Sequence, residues 1–193
     1  KLIMSTFTIF TALIIFVVLW HQYQKLEELS RSHFESRLLV QTVEHLFTMS
    51  QTWLTSQDLL FSGQQTYLAD GISKQSSQLS ETLLNIDLNT VSNESNVLIK
   101  QLLTAIKQND AIVNSFSQFS AIDNQVWQTA IAKSDQVTEV YIKDLEHLFA
   151  NVTNNNLVLA KKLTITTQYL TTLTWVIISL YIFLVLFIVN LFS

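Results

Sequence analysis

Two uncharged apolar stretches bracket a charged middle segment, and they restrict this chain more than any other feature. Leu2–Leu19 form the first stretch, and the second lies after Leu163 and becomes continuously apolar from Leu173. A helix of the first stretch's 18 residues spans about 27 Å, close to the ~30 Å hydrocarbon thickness of a bilayer. The sequence therefore predicts two transmembrane helices, at residues 1–20 and 169–193, around a middle domain at residues 21–168.

Aromatic residues stand at the end of each stretch that faces the middle domain. Trp20 and Tyr23 follow the first stretch, whereas Tyr169 and Trp175 precede or open the second. Trp and Tyr concentrate at membrane–water interfaces, so this placement favours two spans over two core helices. A cleaved signal peptide is the competing interpretation of the first stretch. Its apolar run exceeds the usual ~7–15 residues and no small-residue cleavage site follows, so we expect an uncleaved anchor.

The charges of the chain lie almost entirely in the middle domain. All 15 acidic residues, and all 11 basic residues except Lys1, fall between Lys25 and Lys162. This acidic balance argues against nucleic acid as a partner and against binding to an anionic membrane surface. The chain has no cysteine, which excludes disulfides, thiolate metal sites and a cysteine nucleophile.

The absence of proline, together with only two glycines, predicts an all-α fold of long helices. The first helix is expected to run until Ser62-Gly63-Gln64. Two heptad columns predict a broad core-facing stripe on it. One column is Leu39, Leu46, Trp53 and Leu60, and the other is Val40, Phe47, Leu54 and Phe61.

Apolar spacing predicts three further helices. The second covers about Gln65–Ile86 and leads into a polar loop, Asp87–Asn96. The third extends to Phe119, a turn follows near Ser120–Asp123, and the fourth continues into the second apolar stretch. The third and fourth helices carry seams at steps of three and four residues or their multiples: Leu98, Leu102, Ala105, Asn109, Ile112, Phe116 and Phe119 on one, and Val126, Ala130, Val137, Tyr141, Leu145, Leu148, Val152 and Leu159 on the other.

Helix lengths predict the architecture. The outer two helices are longer than the inner two, which indicates an antiparallel four-helix bundle at residues 39–147, standing on a two-helix stalk at 22–38 and 148–168. In this arrangement the first and fourth helices are continuous with the two transmembrane helices. Thin apolar stripes in the stalk favour a parallel homodimer.

The order of span, helical domain and span resembles bacterial transmembrane sensory receptors of the chemoreceptor type and of the helical CHASE type. Phe61-Ser62-Gly63-Gln64-Gln65-Thr66-Tyr67-Leu68 resembles the Leu-Thr-Gly-Asp-x-x-Tyr-Leu element of the CHASE-type group, with Gln64 in place of Asp. The resemblance implies a sensor in the bacterial inner membrane whose middle domain is periplasmic or extracellular. It also implies an effector after Ser193 (a kinase, a chemotaxis signalling tail or a cyclase) and a small-molecule ligand or a periplasmic binding protein as partner.

Four residues are candidates for ligand binding, each with a simpler alternative. Trp53 and Trp127 could line a pocket between helices, although core packing is the preferred explanation of both. Asn109 interrupts an apolar seam; it could contact a ligand, but the preferred explanation is that it fixes helix register or pairs with a partner helix. Arg37 is one of two arginines, and receptors of the resembled kind often hold anions with arginine. Arg31, the other, follows Glu27 by four residues, which indicates a helix ion pair.

Signal transmission is assigned to the fourth helix, which has no glycine or proline. Asn154, Asn155 and Asn156 are poor helix formers and are expected to make its softest segment. The four histidines, His21, His33, His45 and His147, have no ligand spacing, so no metal is predicted, nor any cofactor. No catalytic motif is present, and no enzyme is expected within these residues. The alternative function is a membrane-anchored helical scaffold that binds another protein without sensing.

Overall fold

A computed structural model describes the backbone of residues 2–62, 69–88, 91–117 and 124–192. It describes their side chains except those of residues 2–11, 116, 117, 124, 188, 189, 191 and 192. The described residues form four α-helices: α1 (Leu2–Phe61), α2 (Ala69–Leu84), α3 (Asn93–Ser117) and α4 (Asn124–Phe192). The all-α prediction is confirmed, with α1 and α4 at 60 and 69 residues against 16 and 25 for α2 and α3.

Helix α1 ends where the sequence predicted. The amide of Ser62 donates to the Asp58 carbonyl at 2.9 Å, and its hydroxyl donates to the Leu59 carbonyl at 2.9 Å, which satisfies two of the last free carbonyls. The rest of the predicted break, Gly63 and Gln64, lies outside the described residues, as does the remainder of the motif through Leu68.

The predicted loop Asp87–Asn96 is too long, because α3 already begins at Asn93. Ser92 supplies the reason: its hydroxyl accepts the Ser95 amide at 3.1 Å, which is a helix N-cap. Glu94 in the first turn adds a carboxylate where the helix dipole favours one. The polar run from residue 93 to 96 is thus the capped first turn of a helix.

Helix α2 ends at Leu84 rather than at the predicted Ile86. Two turn bonds close its end, from the Asn85 amide to the Glu81 carbonyl at 3.0 Å and from the Ile86 amide to the Leu83 carbonyl at 3.3 Å. Ile86 remains buried even though it is outside the helix. Residues 65–68 of the predicted second helix and the turn predicted at Ser120–Asp123 lie outside the described residues.

The chain divides into two compact units. Unit 1 comprises residues 1–34 and 157–193, and unit 2 comprises residues 35–156. All of the described hydrophobic core lies in unit 2 and draws on all four helices. Leu148 and Val152 belong to this core and Phe149 packs against it, so the packed region extends further along α4 than the predicted boundary at residue 147.

The core-facing stripe of α1 differs from the predicted one in one column. Leu39, Leu46, Trp53 and Leu60 are buried as predicted, whereas the neighbouring column of Val40, Phe47, Leu54 and Phe61 is only half-buried. The second buried column lies between the two predicted columns around the helix and consists of Ser36, Val43, Ser50 and Gln57. On α4 the predicted seam member Val126 is exposed, and Ser134 is buried instead.

Unit 1 differs from unit 2 in burial, because none of its described side chains is fully buried. Half-buried positions recur on α4 at alternating steps of three and four from Asn156: Leu159, Leu163, Thr166, Leu170, Leu173 and Ile177. Within the described side chains one helix, α4, contains a stretch apolar enough to cross a membrane, with mean hydropathy 2.3 and no buried residue. Much of the first predicted span, residues 2–11, lies outside the described side chains.

Candidate functional site

Buried hydrogen bonds between helices are concentrated near the middle of unit 2. The first joins Ser50 on α1 to Tyr141 on α4 at 2.5 Å. Because the Ser50 hydroxyl also donates to the Leu46 carbonyl at 2.7 Å, the Tyr141 hydroxyl is the donor in the pair. Burial raises the pKa of the Tyr141 phenol from 10.0 to about 12, although the hydrogen bond with Ser50 lowers it. Tyr141 therefore stays a protonated donor.

Trp53 continues this cluster toward α2. Its ring lies edge-on to the ring of Tyr141, with centroids 5.2 Å apart, and its Nε1–H donates to the Ser76 hydroxyl at 3.0 Å. Trp53 is fully buried and Ser76 is 3% exposed. The buried indole thus has a hydrogen-bond acceptor for its N–H and an aromatic ring against its face or edge, as core packing requires.

One helical turn along α1 from Trp53, a second polar layer joins three helices. The Nδ2 of Asn109 on α3 donates to the Oε1 of Gln57 at 2.8 Å. The Oδ1 of Asn109 accepts a hydrogen bond from the hydroxyl of Ser134 on α4, also at 2.8 Å. Asn109 is fully buried, and both ends of its amide are engaged. Its position in the apolar seam is therefore explained by partners inside the fold.

One donor of this layer has no partner within the described residues. The Nε2 of Gln57 is buried and unpaired, whereas its Oε1 accepts from Asn109. A buried amide hydrogen without an acceptor costs roughly 1–3 kcal/mol, so the layer is held together at some expense in stability. Such a layer specifies one helix register, because a shift of either helix leaves more groups unpaired.

The other two ligand candidates occupy different surroundings. Trp127 is half-buried near the start of α4, and its ring lies edge-on to Phe61 with centroids 6.5 Å apart. Arg37 is exposed on α1. The four predicted candidates therefore do not form one site. Trp53 and Asn109 are buried in the core. Trp127 packs against Phe61, which lies about 36 Å along α1 from Arg37.

The three consecutive asparagines lie within continuous helix at the end of unit 2. Asn154 and Asn155 are exposed, whereas Asn156 is half-buried in the row of α4 that leads to Ile177. Just before them, Asn151 Nδ2 and Thr153 Oγ1 are buried without a hydrogen-bond partner among the described residues. Helix formation is thus weakest, in propensity and in polar satisfaction, over residues 151–156.

Within the described part of the chain, no group of His, Asp and Glu side chains is arranged to hold a metal ion. The polar layers are composed of Ser, Gln, Asn, Tyr and Trp side chains, which exchange hydrogen bonds and carry no charge at neutral pH. These hydrogen bonds can fix the register of one helix against another.

The sequence identified Asn109 and Trp53 and placed Tyr141 in the α4 seam, but it did not identify the polar partners Gln57, Ser76 and Ser134. Ser36, Ser50 and Gln57 recur every seven residues with Val43, a signal that a purely apolar pattern overlooks.

No known protein family, curated protein or solved structure matches this chain.

Proposed function

We propose that this chain is the membrane-anchored sensor region of a bacterial signal-transduction receptor. The observation that carries the proposal is the composition of α4. The same helix contributes Tyr141 and Leu148 to the core of unit 2 and later contains the exposed apolar stretch that is long enough to cross a bilayer. A stiff helix that belongs to both is suited to convert a shift in the core into a movement in the membrane.

In this proposal unit 2 is an antiparallel four-helix bundle, and α1 and α4 continue into two transmembrane helices. The pairwise contacts of unit 2 support the bundle, because α1 bonds to α2 through Trp53, to α3 through Gln57 and to α4 through Ser50. The domain between the spans lies outside the cytoplasm, as the receptor resemblance implies.

The ligand is a small molecule or a periplasmic binding protein. Sealed core residues do not meet a ligand first, so its contacts fall to surface groups such as Arg37 and Trp127. Trp53 and Asn109 then act as the responding elements: a ligand that prefers one helix register over another shifts the population of the two by its differential affinity, typically about 1–3 kcal/mol.

The transmission segment of the proposal is Asn154-Asn155-Asn156. It follows the last buried core residue, Val152, and precedes the apolar stretch on the same helix. A segment of low helix propensity at this point sets how much of a core displacement reaches the membrane, because softer helix absorbs more of it.

A parallel homodimer completes the proposal. Leu157 and Ile165 are 64% and 56% exposed, and both lie outside the half-buried row of α4. They precede the predicted second span at residues 169–193, and a second copy anchored in the same membrane presents them at the same height.

Thiol accessibility tests the topology, and the chain suits this method because it has no native cysteine. A single cysteine at the exposed Lys107 of α3 should react with a membrane-impermeant maleimide in intact cells. Reaction only after lysis would contradict an extracytoplasmic domain. The scaffold alternative shares this topology, and a measurement of coupling between the core of unit 2 and the membrane segment of α4 separates the two.

A further inference from the structure

A groove runs between α1 and α4 within unit 1. Its larger part is a cavity of about 730 Å³, lined mainly by apolar and aromatic side chains that include Phe16, Leu19, Trp20, Leu170, Trp175 and Ile178. A second cavity of about 650 Å³ shares Tyr23, Leu26 and Thr167 with the first. The two are therefore parts of one groove.

The two ends of the groove differ in polarity. Glu27, Ser30 and Arg31 line only the second cavity, and the first cavity has no charged residue in its lining. From Thr167 to Ile178 the α4 wall rises about 16 Å, which accommodates most of a long acyl chain. An amphiphile with its polar group at Arg31 and its chain toward Ile178 matches this gradient.

Threonines line the groove but add little polarity to it. Thr167 donates its hydroxyl proton to the Leu163 carbonyl at 2.8 Å, Thr171 to the Thr167 carbonyl at 2.9 Å, and Thr174 to the Leu170 carbonyl at 2.8 Å. With these donors satisfied by their own helix, the wall offers methyl groups and no free hydroxyl donor to a ligand. A hydrocarbon chain meets this requirement better than a polar metabolite.

We propose that the groove binds one zwitterionic glycerophospholipid from the surrounding bilayer, and this rests on the membrane anchoring proposed above. The phosphate lies at Arg31, and the headgroup folds back along α1 so that its ammonium lies near Glu27, one helical turn away. Arg31 already interacts within the protein, but a guanidinium has five N–H donors and can engage a phosphate as well. Glu27 disfavours an anionic headgroup, and neutral diacylglycerol lacks both charges.

The aromatic residues fit this occupant. Trp20, Tyr23 and Trp175 are more than half exposed in the structure, and they stand at the predicted level of the membrane interface. A lipid held against them is covered by protein on one side and remains in place when bulk lipid is removed. This property separates a bound lipid from the general solvent of the membrane.

Lipid retention tests the proposal. The full chain is reconstituted in dioleoylphosphatidylcholine vesicles, extracted in mild detergent, and its retained lipids are counted by native mass spectrometry. We expect one lipid per chain. Thr171→Trp fills the groove and should lower this occupancy at least tenfold. Thr172→Trp, its neighbour outside the lining, is the matched control and should retain the lipid.

Competition tests the headgroup. With equal dioleoylphosphatidylcholine, dioleoylphosphatidylglycerol and dioleoylglycerol in the vesicles, the zwitterionic lipid should be retained several-fold over the other two. Arg31→Gln should remove its advantage over dioleoylglycerol. Lys25→Gln, an exposed basic residue of α1 that is absent from both linings, is the control and should preserve it. If Thr171→Trp lowers the helical signal in circular dichroism, Thr174→Trp fills the same groove and replaces it.

Three outcomes overturn the proposal. Equal retention by the Thr171→Trp and Thr172→Trp variants assigns the lipids to non-specific association. A wild-type chain that retains no lipid also overturns it, and if Thr171→Trp but not Thr172→Trp then disrupts a dimer, the groove is occupied by a second copy. A chain that does not float with vesicles contradicts the membrane anchoring as well, whereas the first two outcomes leave that anchoring intact.

Discussion

Asn109 of α3 and Gln57 of α1 share a hydrogen bond of 2.8 Å between Nδ2 and Oε1, in a layer that solvent does not reach. The Oδ1 of Asn109 accepts a hydrogen bond from the Ser134 hydroxyl of α4, so one side-chain amide links three helices. In an apolar seam any larger aliphatic residue would bury more hydrocarbon. The amide therefore specifies register where an aliphatic side chain would add stability.

Replacement of Asn109 should be costly. Asn109→Ala leaves the Gln57 carbonyl oxygen and the Ser134 hydroxyl without their partners, at roughly 1–3 kcal/mol for each group. We expect a loss of about 2–4 kcal/mol in the unfolding free energy of the full chain in detergent, measured by urea titration of its helical signal. Gln108→Ala, at the neighbouring exposed position of α3, is the control and should stay within about 0.5 kcal/mol. Equal effects of the two would show that the layer has no special role.

Trp53 should be more sensitive than Trp127 to the same substitution. Trp53→Phe removes the donor to Ser76 and leaves space in a fully buried position, so a loss of about 2–4 kcal/mol is expected. Trp127→Phe keeps an aromatic ring at a half-exposed position and should cost less than about 1 kcal/mol. Unfolding followed by circular dichroism compares them, and a larger loss for Trp127→Phe would contradict the assignment of Trp53 to the core.

The buried Tyr141 should make the folded chain less stable at alkaline pH. Its pKa is raised to about 12 in the folded chain from 10.0, so the folded state holds the proton more tightly than the unfolded state does. The stability from this difference is fully present below pH 10 and is lost as the pH rises to about 12, at up to ~1.4 kcal/mol per pH unit.

The difference between the wild-type chain and its Tyr141→Phe variant isolates this effect from other titrations. Unfolding free energies measured from pH 8 to pH 12 should show the wild-type advantage shrinking only above pH 10. An advantage that is constant over this range would place Tyr141 in contact with solvent.

Alanine in place of Asn154, Asn155 and Asn156 should stabilise α4. Each exchange gains up to about 0.7 kcal/mol of helix propensity, and the two exposed positions lose no packing. We expect thermal unfolding to rise slightly, with Asn156→Ala contributing least because that residue is half-buried. A fall in the unfolding temperature would show that the asparagines make contacts that stabilise the helix.

Crosslinking tests the dimer. Cysteines placed singly at Leu157 or Ile165 should form intersubunit disulfides in membranes, because a parallel dimer brings like positions together. Lys162, which is exposed and also outside the half-buried row, is the matched control. Equal crosslinking at all three positions would indicate random collisions and no dimer through this face.

The sequence was sufficient for the helices and for one core column, because hydrophobic spacing reports directly which face of a helix is buried. It failed for the polar column: Ser50 and Gln57 carry no apolar signal, and their burial depends on the partners that α3 and α4 bring. The start of α3 was missed for a related reason, since Ser92 and Ser95 are typical of loops until the Ser92 hydroxyl accepts the Ser95 amide and caps a helix. Asn109 was identifiable as an exception in its seam, but its partners depend on how the helices are rotated against each other.

Coupling between the core and the membrane segment is the central claim, and a double-mutant cycle tests it without knowledge of the ligand. Asn109→Ala perturbs the core register, and its effect on output is read in a chimera that joins residue 193 to a reporter signalling domain. The cycle is run with Asn154 and Asn155 both replaced by glycine, and in parallel with both replaced by alanine, which keeps the length and rotation of α4 the same.

We predict that Asn109→Ala changes the output of the alanine chimera severalfold and has no effect on the glycine chimera, because flexible helix absorbs the displacement. If Asn109→Ala changes the output of both chimeras equally, transmission along α4 is excluded. If it changes the output of neither, and the chain is retained in the membrane, the scaffold alternative is favoured.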